Sequence, residues 1–184
     1  YDAIRKDDDL IGDILRALKQ SGLNENTIVV YFSDHGANNL LRHKQMTTEG
    51  GLRGPLVMMG PEQYVPKGVV RTDLVNMLDL TATTLAWASH EQPSWYEGKD
   101  LFAKNFEERK FVGGQKDRLY HTIDRVRTIR SKDFRYVKNY KLDRILLQPQ
   151  YRDKMPYTKN IHQLYKSGNL SEKLAEIYFG ERQP

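Results

Sequence analysis

The residues best suited to chemistry lie within one stretch, SDHGANNLLRHKQMTTEGGLRGPL, from Ser33 to Leu56. Asp34 and His35 stand together after the apolar run Thr27-Ile28-Val29-Val30-Tyr31-Phe32. A carboxylate oxygen and an imidazole nitrogen at the end of a strand can share a divalent cation, hard metals favouring the oxygen and borderline metals accepting the nitrogen. Taken alone, Asp-His-Gly is more often a chain turn than a ligand pair, because Asp, Ser and Gly end strands for conformational reasons. His43 and Lys44 follow within ten residues, and Glu49-Gly50-Gly51-Leu52-Arg53-Gly54-Pro55 leads into the next apolar run. An ammonium beside a metal ligand pair is a compact positive charge suited to an oxyanion.

Apolar periodicity predicts the elements that must position these groups. Ile4, Ile11, Leu15 and Leu18, with Leu10 and Ile14 beside them, predict an amphipathic helix from about Ala3 to Ser21, stopped at Gly22. The 27–32 run reads as a strand buried on both faces, and Leu56-Val57-Met58-Met59 as a second strand between prolines. Leu74, Val75, Leu78, Ala82, Leu85 and Ala86 predict a helix of about four turns, with Thr72 as its N-cap. Residues 126–130 and 134–137 alternate apolar and basic side chains around Ser131-Lys132-Asp133, which predicts an antiparallel hairpin with one wet face. Two short helices follow between Tyr157 and Phe179, broken at Gly168-Asn169. The fold class is α/β, with a larger part over 1–103 that carries the loop and a small α+β lobe with an antiparallel sheet over 104–184.

The order and spacing of four blocks over about residues 5–101 give a resemblance to a known family. These are DDDLIGDILRALKQSGL, TIVVYFSDHG, the lysine before EGGLRGP, and DLVNMLDLTATTLAWA. The chain resembles the C-terminal part of the sulfatases, in the alkaline-phosphatase-like superfamily. VRTIRSKDFRYVKNYKLDR further resembles the small C-terminal sheet of glycan sulfatases of the heparan N-sulfatase type. The resemblance implies that Asp34 and His35 bind a divalent metal, usually Ca2+, and that Lys44 contacts the sulfate group. It implies a formylglycine nucleophile arising from a Cys or Ser in a Cys/Ser-x-Pro-x-Arg context. This chain has no cysteine and no such pattern, so the nucleophile is expected outside it and the chain alone is expected to be inactive. The same resemblance implies a sulfated glycan or other sulfate ester as substrate and a periplasmic, extracellular or lysosomal location.

Other readings stay open beside it. His43 faces either substrate or solvent. His121 and Asp124, in RLYHTIDR, either reach over the mouth of the site or form a satisfied pair at a strand end. Trp87, Trp95, Tyr96 and Tyr140 stack on sugars or cover an internal interface. Arg53 reads as an ion-pair partner that fixes the loop. A phosphodiesterase or phosphonate hydrolase of the same superfamily would share an Asp-His-Gly after a buried strand.

Charge supplies a reading from a different class. The net charge is +5 over 184 residues, yet residues 104–159 carry 16 Lys+Arg against 7 Asp+Glu while residues 1–103 carry 10 against 14. Such a segment is either a solvated basic surface or a non-catalytic polyanion-binding module. No nucleic-acid motif accompanies it. No apolar run approaches the roughly 20 residues of a membrane span. Exposed strand edges would favour self-association.

Overall fold

The computed structural model describes residues 1–184, apart from the side chain of Leu119. The chain forms two compact units: residues 1–33, 55–72 and 76–107 make the first, and residues 34–54, 73–75 and 108–184 the second.

The first unit opens with α1 (Asp2–Gln20). Ile11, Leu15 and Leu18 form its half-buried stripe, while Ile4, Leu10 and Ile14 are exposed. The helix ends as its sequence predicts. Gly22 takes φ +71°, its amide donates to the Lys19 carbonyl, and the Leu23 amide reaches the Leu18 carbonyl, which satisfies two orphan acceptors of the last turn. Strands β1 (Val29–Phe32) and β2 (Leu56–Met59) pair antiparallel, Val29 opposite Met59 and Phe32 opposite Leu56. The expectation of a strand buried on both faces is corrected here: Tyr31 is 46% and Phe32 44% exposed. In this two-stranded sheet β1 has β2 alone as its hydrogen-bonded neighbour.

After β2 comes α3 (Met77–Trp87), the short α2 (Glu49–Leu52) lying in the loop between the two strands. It starts later than the apolar period suggests, and Asn76 rather than Thr72 is its N-cap. The reason is chemical. Asn76 accepts from the Leu78 amide, and Asp79 reaches back to the Asn76 amide at 2.7 Å; the residue three after Thr72 is Val75, which cannot reciprocate. Asp79 is 1% exposed and its second oxygen takes the Lys99 amide, while Thr83 accepts from the Leu101 amide. These bonds fix the 99–101 segment against α3, and Val65, Ala82 and Leu101 are the buried apolar residues of this unit.

The second unit holds an antiparallel sheet of β3 (Val112–Leu119), β4 (Thr122–Arg130) and β5 (Arg135–Asn139), in that order. The hairpin expected from residues 126–137 is its β4–β5 pair, with Thr128 opposite Val137. Strand β3 has no counterpart in the sequence reading, because VGGQKDRL has two glycines and little β-branched character. Helices α4 (Pro156–Lys166) and α5 (Glu172–Phe179) occupy the two expected positions, joined by stacking of Tyr165 on Phe179 at 3.8 Å. The inner face of the sheet is formed by Asp124, Val126 and Thr128 of β4, with Lys116 of β3.

Candidate functional site

The loop 34–54 is folded back on itself by its own backbone. The Gly36 amide donates to the Gly51 carbonyl at 3.1 Å, the Lys44 amide lies 3.4 Å from the Ala37 carbonyl, and the Met46 amide bonds the His43 carbonyl at 2.9 Å. Close approach demands glycine at residue 36. A Cβ on Gly36 would collide with the backbone carbonyl of Gly50, and one on Gly50 would sit 2.7 Å from Nε2 of His43.

The first candidate metal ligands are adjacent in space. His35 Nε2 lies 3.5 Å from Asp34 Oδ1, and the Asp34 side chain is 79% exposed. His35 Nδ1 is 2.7 Å from the Gly36 carbonyl, which can only accept, so Nδ1 is the donor there and Nε2 is the nitrogen on the side of the carboxylate. One carboxylate oxygen and one imidazole nitrogen fit a divalent cation as two donors of a larger set. Among the described residues no cluster of three or more His, Cys, Asp or Glu could hold an ion.

Lys44 is half-buried and its ammonium has no ion pair among the described residues. His43 is also half-buried; its ring lies against Gly50, and its Nδ1 is buried without a hydrogen-bond partner. The ring is thus directed at the glycine turn.

Two cationic clamps fix this loop, and periodicity reveals neither. Arg152 is 1% exposed, in the turn after Gln150. Its Nη1 donates to the carbonyls of Asn38 (3.1 Å) and Leu40 (3.3 Å), its Nη2 to that of Lys44 (3.1 Å), and its Nε to Gln150 Oε1 (3.0 Å). A planar fork of donors matches divergent carbonyls as an ammonium cannot. The second clamp grips Glu49, which accepts from Arg135 Nη2 at 2.7 Å and from Arg130 Nε at 3.3 Å. The hydrogen bond from Arg135 is the main cause that holds the Glu49 carboxyl below its usual range. Arg53, expected to fix the loop, is 3.9 Å from Glu49 with its side chain 79% exposed. The task falls to Arg130 and Arg135 instead.

Under the sheet face Asp124 is fully buried between Lys116 (2.6 Å) and Arg182 (2.8 Å), with Gln148 donating at 3.1 Å. Burial alone would push its carboxyl up; the hydrogen bonds from Arg182 and Lys116 outweigh that and hold it far below the ordinary carboxylate range. Burial likewise pushes the Lys116 ammonium down, offset only in part by Asp124. Of the two readings for Asp124, the satisfied internal group is the one observed, though its partners are cations rather than His121. His121 is exposed and stacks edge-on against Tyr120 at 5.4 Å. Trp87 stacks on Phe102 at 5.7 Å.

A mixed α/β chain with antiparallel sheets, flanking helices and a glycine-tied loop carrying Asp-His and His-Lys defines a fold that occurs among known proteins. It superposes on the solved complex of BT4656 with its substrate D-glucosamine-2-N,6-O-disulfate with a TM-score of 0.56, covering 93% of this chain and 38% of the other at 22% identity. The sulfatase family model matches residues 1–90, just under half of the chain. Over 176 residues the chain is 28% identical to an ulvan-active sulfatase of Formosa agariphila, covering 94% of this chain and 29% of the relative. Over 105 residues it is 37% identical to the N-acetylgalactosamine-6-sulfatase of Homo sapiens, covering 50% of this chain and 20% of that one. The chain therefore spans less than a third of the length of these relatives.

Proposed function

We propose that this chain supplies one wall of a glycan sulfatase's active site, with the protein hydrolysing sulfate esters or N-sulfates of an anionic glycan. The carrying observation is the loop 34–54, in which a facing carboxylate–imidazole pair and an ammonium without an ion pair sit on one backbone knot. Asp34 and His35 contribute donors to a divalent cation, Ca2+ by family resemblance, which would polarise sulfate oxygens when bound. Lys44 contacts the sulfate group and stabilises the negative charge that develops on its oxygens. His43 orders the glycine turn beside Lys44 and contributes to substrate binding from there. The nucleophile, a formylglycine, lies outside this chain, so the 184 residues alone do not turn over. Relatives named for ulvan and for N-acetylgalactosamine 6-sulfate support a sulfated polysaccharide substrate, and a periplasmic, extracellular or lysosomal setting suits such polymers.

The test uses the protein at the length of its relatives. Lys44→Ala should lower kcat on a sulfated sugar by about 10²–10³ with an unchanged melting temperature, the usual effect of losing one oxyanion contact. Turnover equal to wild type would remove Lys44 from the reaction.

A further inference from the structure

We infer that the outward face of the β3–β4–β5 sheet is a second binding surface for anionic glycans, separate from the loop that carries Lys44. Successive side chains of a strand alternate between faces, so the residues between the buried Asp124, Val126 and Thr128 point outward together. Across the sheet, Gln115, Arg127 and Lys138 form one row in register, and Gly113, Ile129 and Tyr136 form the next. Arg125 and Tyr140 form a third row, joined by the bond from the Tyr140 amide to the Arg125 carbonyl. Three cations thus stand on neighbouring positions about 5–7 Å apart, the spacing of facing and alternate strand residues.

Their charge is largely uncompensated. Arg127 is paired with Asp117 at 2.8 and 3.1 Å, a contact whose Arg127 hydrogen bond lowers the Asp117 carboxyl. Arg125 and Lys138 have no carboxylate partner among the described residues; both lie over the Tyr140 ring, at 4.5 and 5.4 Å from its centroid. Stacking on that ring orders the two cations without neutralising them. A surface with this excess of positive charge complements a polyanion.

The relief of the face identifies the polymer. A shallow depression of about 410 Å³ is lined by Gly113, Gly114, Gln115, Arg127 and Thr128; it offers the exposed Gln115 amide beside a guanidinium that Asp117 holds in place. Tyr136, 59% exposed and opposite Ile129, provides an apolar ring face at the far end of the row that starts at Gly113. A sugar ring placed on Tyr136 would present its anionic groups to Lys138 on the same strand face, and neighbouring sugars of the polymer would reach Arg125 on one side and Gln115 on the other. Single-stranded nucleic acid fits less well, because it is read by successive aromatic platforms and here Tyr140 is already covered by cations. The choice of sulfate over other acidic groups rests on the function proposed above; the anionic-glycan surface does not.

The test titrates the 184-residue chain with a heparin dodecasaccharide by calorimetry at fixed ionic strength, beside a single-stranded oligonucleotide of equal charge. Replacing two exposed cations, Arg125→Ser with Lys138→Ser, should weaken heparin binding about tenfold, given the modest value of each exposed contact. Tyr136→Ser should weaken it several-fold, and Lys67→Ser, which removes an exposed cation of the first unit, should leave it within about twofold of wild type. Circular dichroism confirms that each variant is folded, which surface substitutions permit. Binding unchanged in both sheet variants overturns the proposal, as does equal affinity for the oligonucleotide. Loss of turnover in the complete enzyme without Lys44 bears only on the proposed hydrolysis, so the two readings fail separately.

Discussion

Replacing Arg152 with alanine tests whether the loop is held from the C-terminal sheet side. The guanidinium serves three carbonyls, those of Asn38, Leu40 and Lys44, and Gln150 as a fourth acceptor. Each hydrogen bond from a charged donor contributes about 1.5–3 kcal/mol when its acceptor is left unserved, but water entering the vacated space recovers part of that. A net loss of about 3–5 kcal/mol follows, in line with removing one partner from a buried charged network. For a cooperative unit of about 100 residues each kcal/mol moves Tm by about 4–8 °C, so the second unit should melt roughly 15 °C lower or more. Amide exchange carries the local information. The Lys44 and Met46 amides, bonded to Ala37 and His43 within the loop, should exchange at least tenfold faster, while amides of the β4–β5 pairing change only by the global shift. Arg152→Lys should fall between, since one ammonium reaches fewer of the three divergent carbonyls. A melting temperature within 2 °C of wild type, with unchanged exchange at Lys44, would refute the clamp.

The other outcomes concern the buried network and the glycine turn. Asp124 has a folded pKa below its unfolded value of about 3.9, so its contribution is complete above that pH and is lost as the pH falls further; Tm followed by calorimetry should hold from pH 7 to about 4.5 and drop below about 4. Asp124→Asn leaves Lys116 and Arg182 buried without a counter-charge, a loss of about 3–5 kcal/mol at pH 7, and should flatten that acid limb; an acid limb identical to wild type would dismiss the assignment. In Gly50→Ala the new methyl meets the His43 ring, which can swing away, so the His43 imidazole resonances should shift with little loss of stability. Gly36→Ala meets the Gly50 backbone instead and should destabilise the loop far more; equal melting temperatures for the two variants would contradict the close approach.

What the sequence makes legible follows from the range of each interaction. Helix α1 and its glycine stop, the two strands around the loop, the β4–β5 hairpin and the paired C-terminal helices all rest on signals within a few residues of one another. The start of α3 misleads because an apolar period running through Leu74 and Val75 is overruled by the cap chemistry of Asn76 and Asp79. Strand β3 escapes because its place is set by pairing with β4, Val112 opposite Arg130, rather than by its own residues. Asp34 and His35 are neighbours in the chain, and their side chains stand 3.5 Å apart as adjacency suggests. The clamps are invisible at that level: Arg152 acts across more than a hundred residues on Lys44, and Arg135 across more than eighty on Glu49. No local pattern distinguishes an arginine that reaches back this far from one that faces water.

That difference also resolves the basic excess of residues 104–159. Read as one number, 16 cations against 7 acids, it supports a solvated surface and a polyanion binder equally. The structure divides it by strand parity. Lys116 turns inward to pair with Asp124, and Arg130, Arg135 and Arg152 turn to Glu49 and the loop carbonyls, so all four are committed to internal partners. Arg125, Arg127 and Lys138 alternate to the opposite face, where Asp117 is the sole carboxylate bonded to them among the described residues. A purely solvating role would be served by cations dispersed over the surface and needs no ring beneath them. Gathering Arg125 and Lys138 over one tyrosine concentrates like charges, which repel by about 1 kcal/mol or less at such exposure and separation. An anion bridging the pair would relieve that repulsion, which makes the outward cluster a better argument for a ligand than the total charge from which it comes.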